Sequence, residues 1–270
     1  MISAHYMAKT LREHGVLFVF AFLMIGLFQV LILTLVIEVD LLGMVEMFMR
    51  QLPPQIRRVL GDQIMAQFSI SGAVAFGYMH PMVLTLSIIV AIVLPARHVA
   101  GEIEKGTLEL LFSLPLKRSA VVVSLWVFSG MALLGLVIGG WTGTGVGLWL
   151  FPEARSVPIV GIAKAGLNLW LLMFAISSYT LLISAYAREG GQATLRAAGL
   201  TLFFFFLNTI AVFWPTIDFL GLFSIFYYHK PQLVMMDASV LGRNVAVLVG
   251  VILVCGTLAI RRVSRRDIPG

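Results

Sequence analysis

Six stretches of the chain carry no charged side chain: residues 15–37, 63–96, 119–152, 165–187, 197–217 and 244–260. Each is near or above the roughly 20 residues that a helix needs to cross a ~30 Å hydrocarbon layer. They are apolar on every side. Strands of a membrane barrel instead alternate apolar and polar positions over about 10 residues. Inside lipid the backbone must satisfy its own hydrogen bonds, so the pattern predicts six transmembrane helices and an all-α, polytopic fold.

The connecting pieces are expected to be of different kinds. Residues 1–14, "MISAHYMAKTLREH", read as an amphipathic helix lying along the membrane surface. Residues 38–76 form a first outer segment. Its Pro53 and Pro54 can open a short helix, with Ile56, Val59 and Leu60 on one side and Arg57 and Arg58 toward water. Residues 215–242 form a second outer segment. Its "FLGLFSIFYYHKPQLVM" is too apolar for a water-exposed loop, so short interfacial or re-entrant helices are expected, with Tyr227 and Tyr228 at the headgroups. No boundary divides the chain, so residues 1–270 read as a single transmembrane domain.

Three details inside the spans stand out. Gly135, Gly139, Gly143 and Gly147 recur every four residues, a ladder that lets another helix approach closely. The uncharged run around them exceeds one span, so its outer end is expected to bend or lie along the surface. Asn208 is a lone amide among Phe203, Phe204, Phe205, Phe206 and Phe213, suited to bonding another helix or lining a pathway. His80 precedes Pro81 and reads as an interfacial or locally bonded histidine, since a metal or haem site needs a second ligand at the same depth.

Composition narrows the class further. The chain is 60% hydrophobic and 12% charged, against about 25% charged in soluble domains. The single cysteine, Cys255, excludes an internal disulfide and any CxxC site. The net charge of +6 could suit nucleic acid, but its placement points to membrane lipids as the partner. Lys9, Arg12, Arg97, Lys105, Lys117, Arg118, Arg188, Arg196, Arg261, Arg262, Arg265 and Arg266 fall on the side of the termini. Arg50, Arg57, Arg58, Arg155, Lys164, Lys230 and Arg243 fall on the other. That bias predicts both termini in the cytoplasm.

One cytoplasmic stretch, residues 101–119, "GEIEKGTLELLFSLPLKRS", is charged and yet helical in pattern. On a helical wheel Glu102, Lys105 and Glu109 share one side. Ile103, Thr107, Leu110, Leu111 and Leu114 share the other. Gly106 offers a break, Thr107 a cap for a second short helix, and Pro115 a stop. Glu104 falls on the apolar side, where a carboxylate needs a partner. Residues 97–118 therefore read as a docking segment for a cytoplasmic protein, with apolar knobs for a groove and charges for its rim. A plain charged loop is the alternative.

The same stretch resembles the signature of ABC-2 type membrane subunits of ATP-binding cassette transporters. "AKTLREH", "LFSIFYYHKP" and "RRVSRRDIPG" are similar to that family's N-terminal helix, aromatic-proline stretch and basic ending. The resemblance implies an inner-membrane permease subunit, an exporter in the family's manner, that works as a pair with a second copy of itself. It implies a coupling helix between spans two and three that contacts a separate cytoplasmic ATPase, with ATP and Mg bound there and no cofactor in this chain. It also implies a pathway bordered by spans one, two and five, with Gln29, Thr34, Phe205 and Asn208 as candidate lining residues, and leaves room for a periplasmic or extracellular partner. Two features of the sequence agree. No charge lies deep in a span, as ion-coupled carriers generally require, and no G-x-x-x-x-G-K-[ST] or HExxH motif is present. A non-transporting scaffold or sensor driven by an ATPase, and an intramembrane enzyme, are the other classes.

Overall fold

The computed structural model describes residues 4–51, 69–106, 118–236 and 238–265. Their helices are α1 (Ala4–Ile37), α2 (Leu41–Gln51), α3 (Ile70–Gly77), α4 (Pro81–Pro95), α5 (Gly101–Glu104), α6 (Arg118–Leu150), α7 (Ile159–Tyr186), α8 (Gly190–Phe213), α9 (Pro231–Met236) and α10 (Ala238–Ser264). No strand occurs among the described residues. Six stretches are long and apolar enough to cross a membrane: His14–Ile37, Ile70–Glu104, Ser119–Leu150, Ile159–Tyr186, Gly190–Phe213 and Val240–Ser264. They fall on the six uncharged runs, and the fold is all-α as the pattern predicts. The proposed surface helix at residues 52–62 lies outside the described residues.

The helices differ from expectation in continuity. α1 runs unbroken from Ala4 into the first span, so no turn separates residues 4–14 from it. α6 is also unbroken over 33 residues, and its outer end does not bend away. Packing explains the second case. Gly139 and Gly143 seat the far half of α6 against α1, where a methyl group on Gly139 would lie 2.8 Å from the Phe22 carbonyl oxygen. One on Gly143 would collide with the backbone of Gly26, and one on Gly147 with Leu33. Nothing approaches Gly135, so the seam uses three of the four glycines and adds Gly26 from the facing helix.

Span two is broken twice. After α3 the chain turns at Tyr78 and Met79, and His80 caps α4 by accepting a hydrogen bond from the Met82 amide at its Nδ1. This is local bonding, as the His-Pro pair suggests. Pro81 opens α4, where no backbone donor is needed. At the other end Pro95 sits inside the helix without a donor, and a π-turn, Ala96–Ala100, follows it.

α7 is the central post, packed by α4, α6, α8, α9 and α10. Tryptophans tie it to α6: Trp126 donates to Ser178, Trp141 to the Ile162 carbonyl, and Trp170 to the Gly130 carbonyl. Ser178, Thr180 and Ser184 return their hydroxyls to carbonyls one turn back, which makes buried polar side chains tolerable. α8 is the opposite case. Only Ala193, Ala197, Thr201 and Ala211 are buried, and Leu202, Phe203, Phe206, Val212 and Phe213 face outward.

Beyond α8 the second outer segment forms two 3₁₀ turns, Pro215–Phe223 and Ile225–Tyr228, before α9. It folds back into the bundle rather than lying flat, with Ile225, Phe226 and Tyr228 buried. Tyr228 is buried against protein, and its hydroxyl donates to the Leu222 carbonyl. Asn168 of α7 holds the segment from beneath. Its amide donates to the Tyr228 carbonyl at 2.9 Å and its oxygen accepts from the Lys230 amide at 3.1 Å.

Candidate functional site

At the end of the bundle where α10 finishes, α1 near His14, the π-turn with α5 and the first turns of α8 border a cleft of about 750 Å³ lined by His14, Arg97, His98, Glu102, Lys105 and Gly190, among others. His14 and His98 are both buried and meet edge to face, with ring centroids 5.4 Å apart. Arg262 of α10 lies over the Tyr186 ring at 4.8 Å. Alanines make the packing behind the cleft: Ala96, Ala100, Ala187 and Ala193.

The charged stretch begins here. The π-turn closes with the Gly101 amide donating to the Ala96 carbonyl, five residues back. α5 then makes one turn and stops. Lys105 and Gly106 donate to the carbonyls of Gly101 and Ile103, and Gly106 takes φ +68°, a left-handed conformation that suits glycine. Thr107, Leu110, Leu111 and Leu114, with Glu109 and Pro115, lie outside the described residues.

Three of the four described docking candidates do not face as the wheel predicts. Glu102, expected on the solvent side, is buried at 7% exposure. Glu104, expected on the apolar side, is exposed, and its Oε2 accepts a hydrogen bond from the Gly190 amide at 2.9 Å. Ile103, expected on the docking ridge, is half-buried against a cluster of Val99, Val122, Leu125 and Leu181. Lys105 is exposed, as expected. A wheel assumes 100° per residue through one helix. A π-turn immediately before α5 and a left-handed glycine immediately after it remove that basis. The carboxylate that needed a partner has one inside its own chain.

The pathway candidates are dispersed. Gln29 is buried at 1% exposure, its carboxamide against Gly77, and its Nε2 has no hydrogen-bond partner among the described residues. Thr34 is half-buried and donates back to the Val30 carbonyl. Phe205 is partly exposed and edge-on to Phe226. Asn208 is half-buried, with no hydrogen bond to another helix among the described residues. α1 and α8 make no extended contact, so the structure does not bring these four together. Among the described residues no three His, Cys, Asp or Glu side chains gather to hold a metal.

Gly190, Gly26 and Asn168 carry contacts that the sequence reading passed over. The Gly-Gly pair after Glu189 was the available signal for the first. Asn168 stood in an uncharged run, as Asn208 does.

Six apolar helices, with a charged segment between the second and third, define a multi-pass membrane protein. The chain belongs to the ABC-2 transporters: the family model described as "ABC-2 family transporter protein" matches residues 4–268. No curated protein and no solved structure matches it significantly. It is thus a permease-type subunit, of a family whose members are generally non-catalytic and pair with an ABC ATPase.

Proposed function

We propose that this chain is the membrane half of an ATP-driven exporter of the cytoplasmic membrane, with both termini inside. Two copies assemble with two ATPase subunits, which bind ATP and Mg and dock on residues 97–118. The observation that carries the proposal is the charged end. Lys105 and Gly106 stand exposed where a single helical turn ends, and that turn is continuous with span two through the π-turn. Chain leaving that turn is joined to the bundle by a short, packed backbone, so a push on it reaches the spans. Thr107, Leu110, Leu111 and Leu114, farther along the segment, meet the docking groove.

The second copy covers apolar surface that one protomer leaves open. α1 exposes Val19, Leu23, Leu27 and Leu31, and α8 exposes Leu202, Phe203 and Phe206. Thr34, Phe205 and Asn208 border the pathway between copies. Gln29, sealed against Gly77, joins them when α1 and α3 part. ATP binding favours one of two arrangements through its differential affinity for them, and the spans alternate access.

The test is labelling and co-purification. In a Cys255→Ala background, Lys105→Cys resists an impermeant maleimide added outside whole cells, and Glu153→Cys reacts. The tagged chain retains an ATPase on purification; the chain alone hydrolyses no ATP. External labelling of Lys105→Cys, or ATP turnover by the chain alone, overturns the proposal.

A further inference from the structure

We propose that Glu104 is a positioning residue, a latch that fastens the elbow at the end of span two to the start of α8, rather than a contact for the ATPase. The inference rests on the docking role proposed above for residues 97–118. It assigns that role a route into the span that carries Phe205 and Asn208.

The first observation is a missing cap. Glu189 occupies the N-cap of α8 and gives no side-chain cap bond; its carboxylate takes the Gln192 side-chain amide instead. The first helical amide, Gly190, is one of four that a helix cannot satisfy itself. Glu104 satisfies it from another element, 86 residues away in the chain. A carboxylate there also complements the positive end of the helix dipole, and a hydrogen bond to a charged acceptor is stronger than a neutral one.

The second observation is independent of that bond. A methyl group on Gly190 would lie 3.3 Å from Gly101 Cα and 3.4 Å from its nitrogen. The two helix starts therefore touch backbone to backbone, which glycine permits. The Ala96 carbonyl, which closes the π-turn, lies 3.6 Å from the same point. The latch thus gathers the π-turn, α5 and the first turn of α8 into one piece. The contact is small and Glu104 is exposed, so it adds little to folding. Its effect is on what moves together. Displacement of the chain beyond Gly106 passes into α4 by covalent continuity and into α8 through this polar contact, beside the apolar packing of Ala96 and Ala100 on Ala193.

The test uses the tagged chain with its co-purifying ATPase in nanodiscs. A bimane fluorophore on Leu202→Cys, in the Cys255→Ala background, reports on α8. In the otherwise native complex, ATP with vanadate shifts its emission. Glu104→Ala keeps the ATPase within about twofold but loses the shift by at least about fivefold. Glu104→Gln, which keeps an acceptor oxygen, restores it. Gly190→Ala, which presses on the Gly101 backbone, loses it as Glu104→Ala does. In the chain alone, amide exchange at residues 190–194 quickens about threefold in Glu104→Ala. A full shift in Glu104→Ala, no recovery in Glu104→Gln, or unchanged exchange overturns the latch. Loss of the ATPase from Glu104→Ala makes Glu104 a docking contact instead and also overturns it. If the native chain retains no ATPase, the docking role fails, while the exchange measurement still decides the latch.

Discussion

The two ends of the bundle are fastened by different means. At the outer end, four side chains pin the second outer segment. Asn168 takes two backbone groups, Ser224 donates to the Phe204 carbonyl, Tyr228 to Leu222, and His229 Nε2 lies 3.2 Å from the Tyr78 carbonyl oxygen. All four residues are buried. At the charged end the bond that ties α5 to α8 is exposed, and alanines and glycines supply the contacts around it. Dry, multiple bonds resist displacement because each lost partner leaves a buried polar group unsatisfied. Where a tie is open to water, water replaces the lost partner and yielding costs little. The exposed tie between α5 and α8 therefore gives way more easily than the buried hold on the second outer segment.

That contrast can be broken, and the largest effect is expected at Asn168. Asn168→Leu strands the Tyr228 carbonyl and the Lys230 amide together, at a cost of about 4 kcal/mol. Thermal unfolding in detergent should fall sharply, with proteolysis appearing between residues 215 and 236; native melting would show that the outer end is not held there. His229 gives the next effect. Burial pushes its pKa down to about 4, against the opposing bond to the Tyr78 carbonyl. The folded state therefore resists a proton that the unfolded chain accepts near 6.5. Stability is full above about 6.5 and drains as the pH falls toward about 4, by about 3 kcal/mol in all. Unfolding measured across that window tests it, and His229→Gln should flatten the dependence.

The α1–α6 seam comes third. Gly143→Val drives a side chain into the Gly26 backbone, at about 2 kcal/mol. Gly135→Val, in open space, should stay within about 0.5 kcal/mol, and equal losses at both sites would refute the assigned seam. The smallest effect belongs to the charged end. Glu104→Ala should lower stability by less than about 1 kcal/mol, and a loss matching that of Asn168→Leu would erase the difference between the ends.

The six spans were legible because hydrocarbon thickness forbids charge over about 20 residues wherever a helix crosses. The glycine seam was legible from spacing, yet not which rungs engage, since Gly135 differs from Gly143 only in what lies opposite. The orientation of Glu102 and Glu104 was not legible, because a single π-turn after Pro95 resets the phase of all that follows. Gly190 was out of reach for another reason: its partner is 86 residues away. Asn168 and Asn208 look alike in sequence. Asn168 bonds the folded-back segment, Asn208 makes no such bond among the described residues, and only tertiary structure separates them.

The continuity of α1 has a mechanical consequence. At 1.5 Å per residue the helix is about 50 Å long, well beyond the hydrocarbon layer. It is held against α6 over about 16 Å of that length, from Phe22 at Gly139, through Gly26 at Gly143, to Leu33 at Gly147. A stiff rod gripped over three turns has no pivot on its neighbour, so α1 and α6 tilt together as one plank.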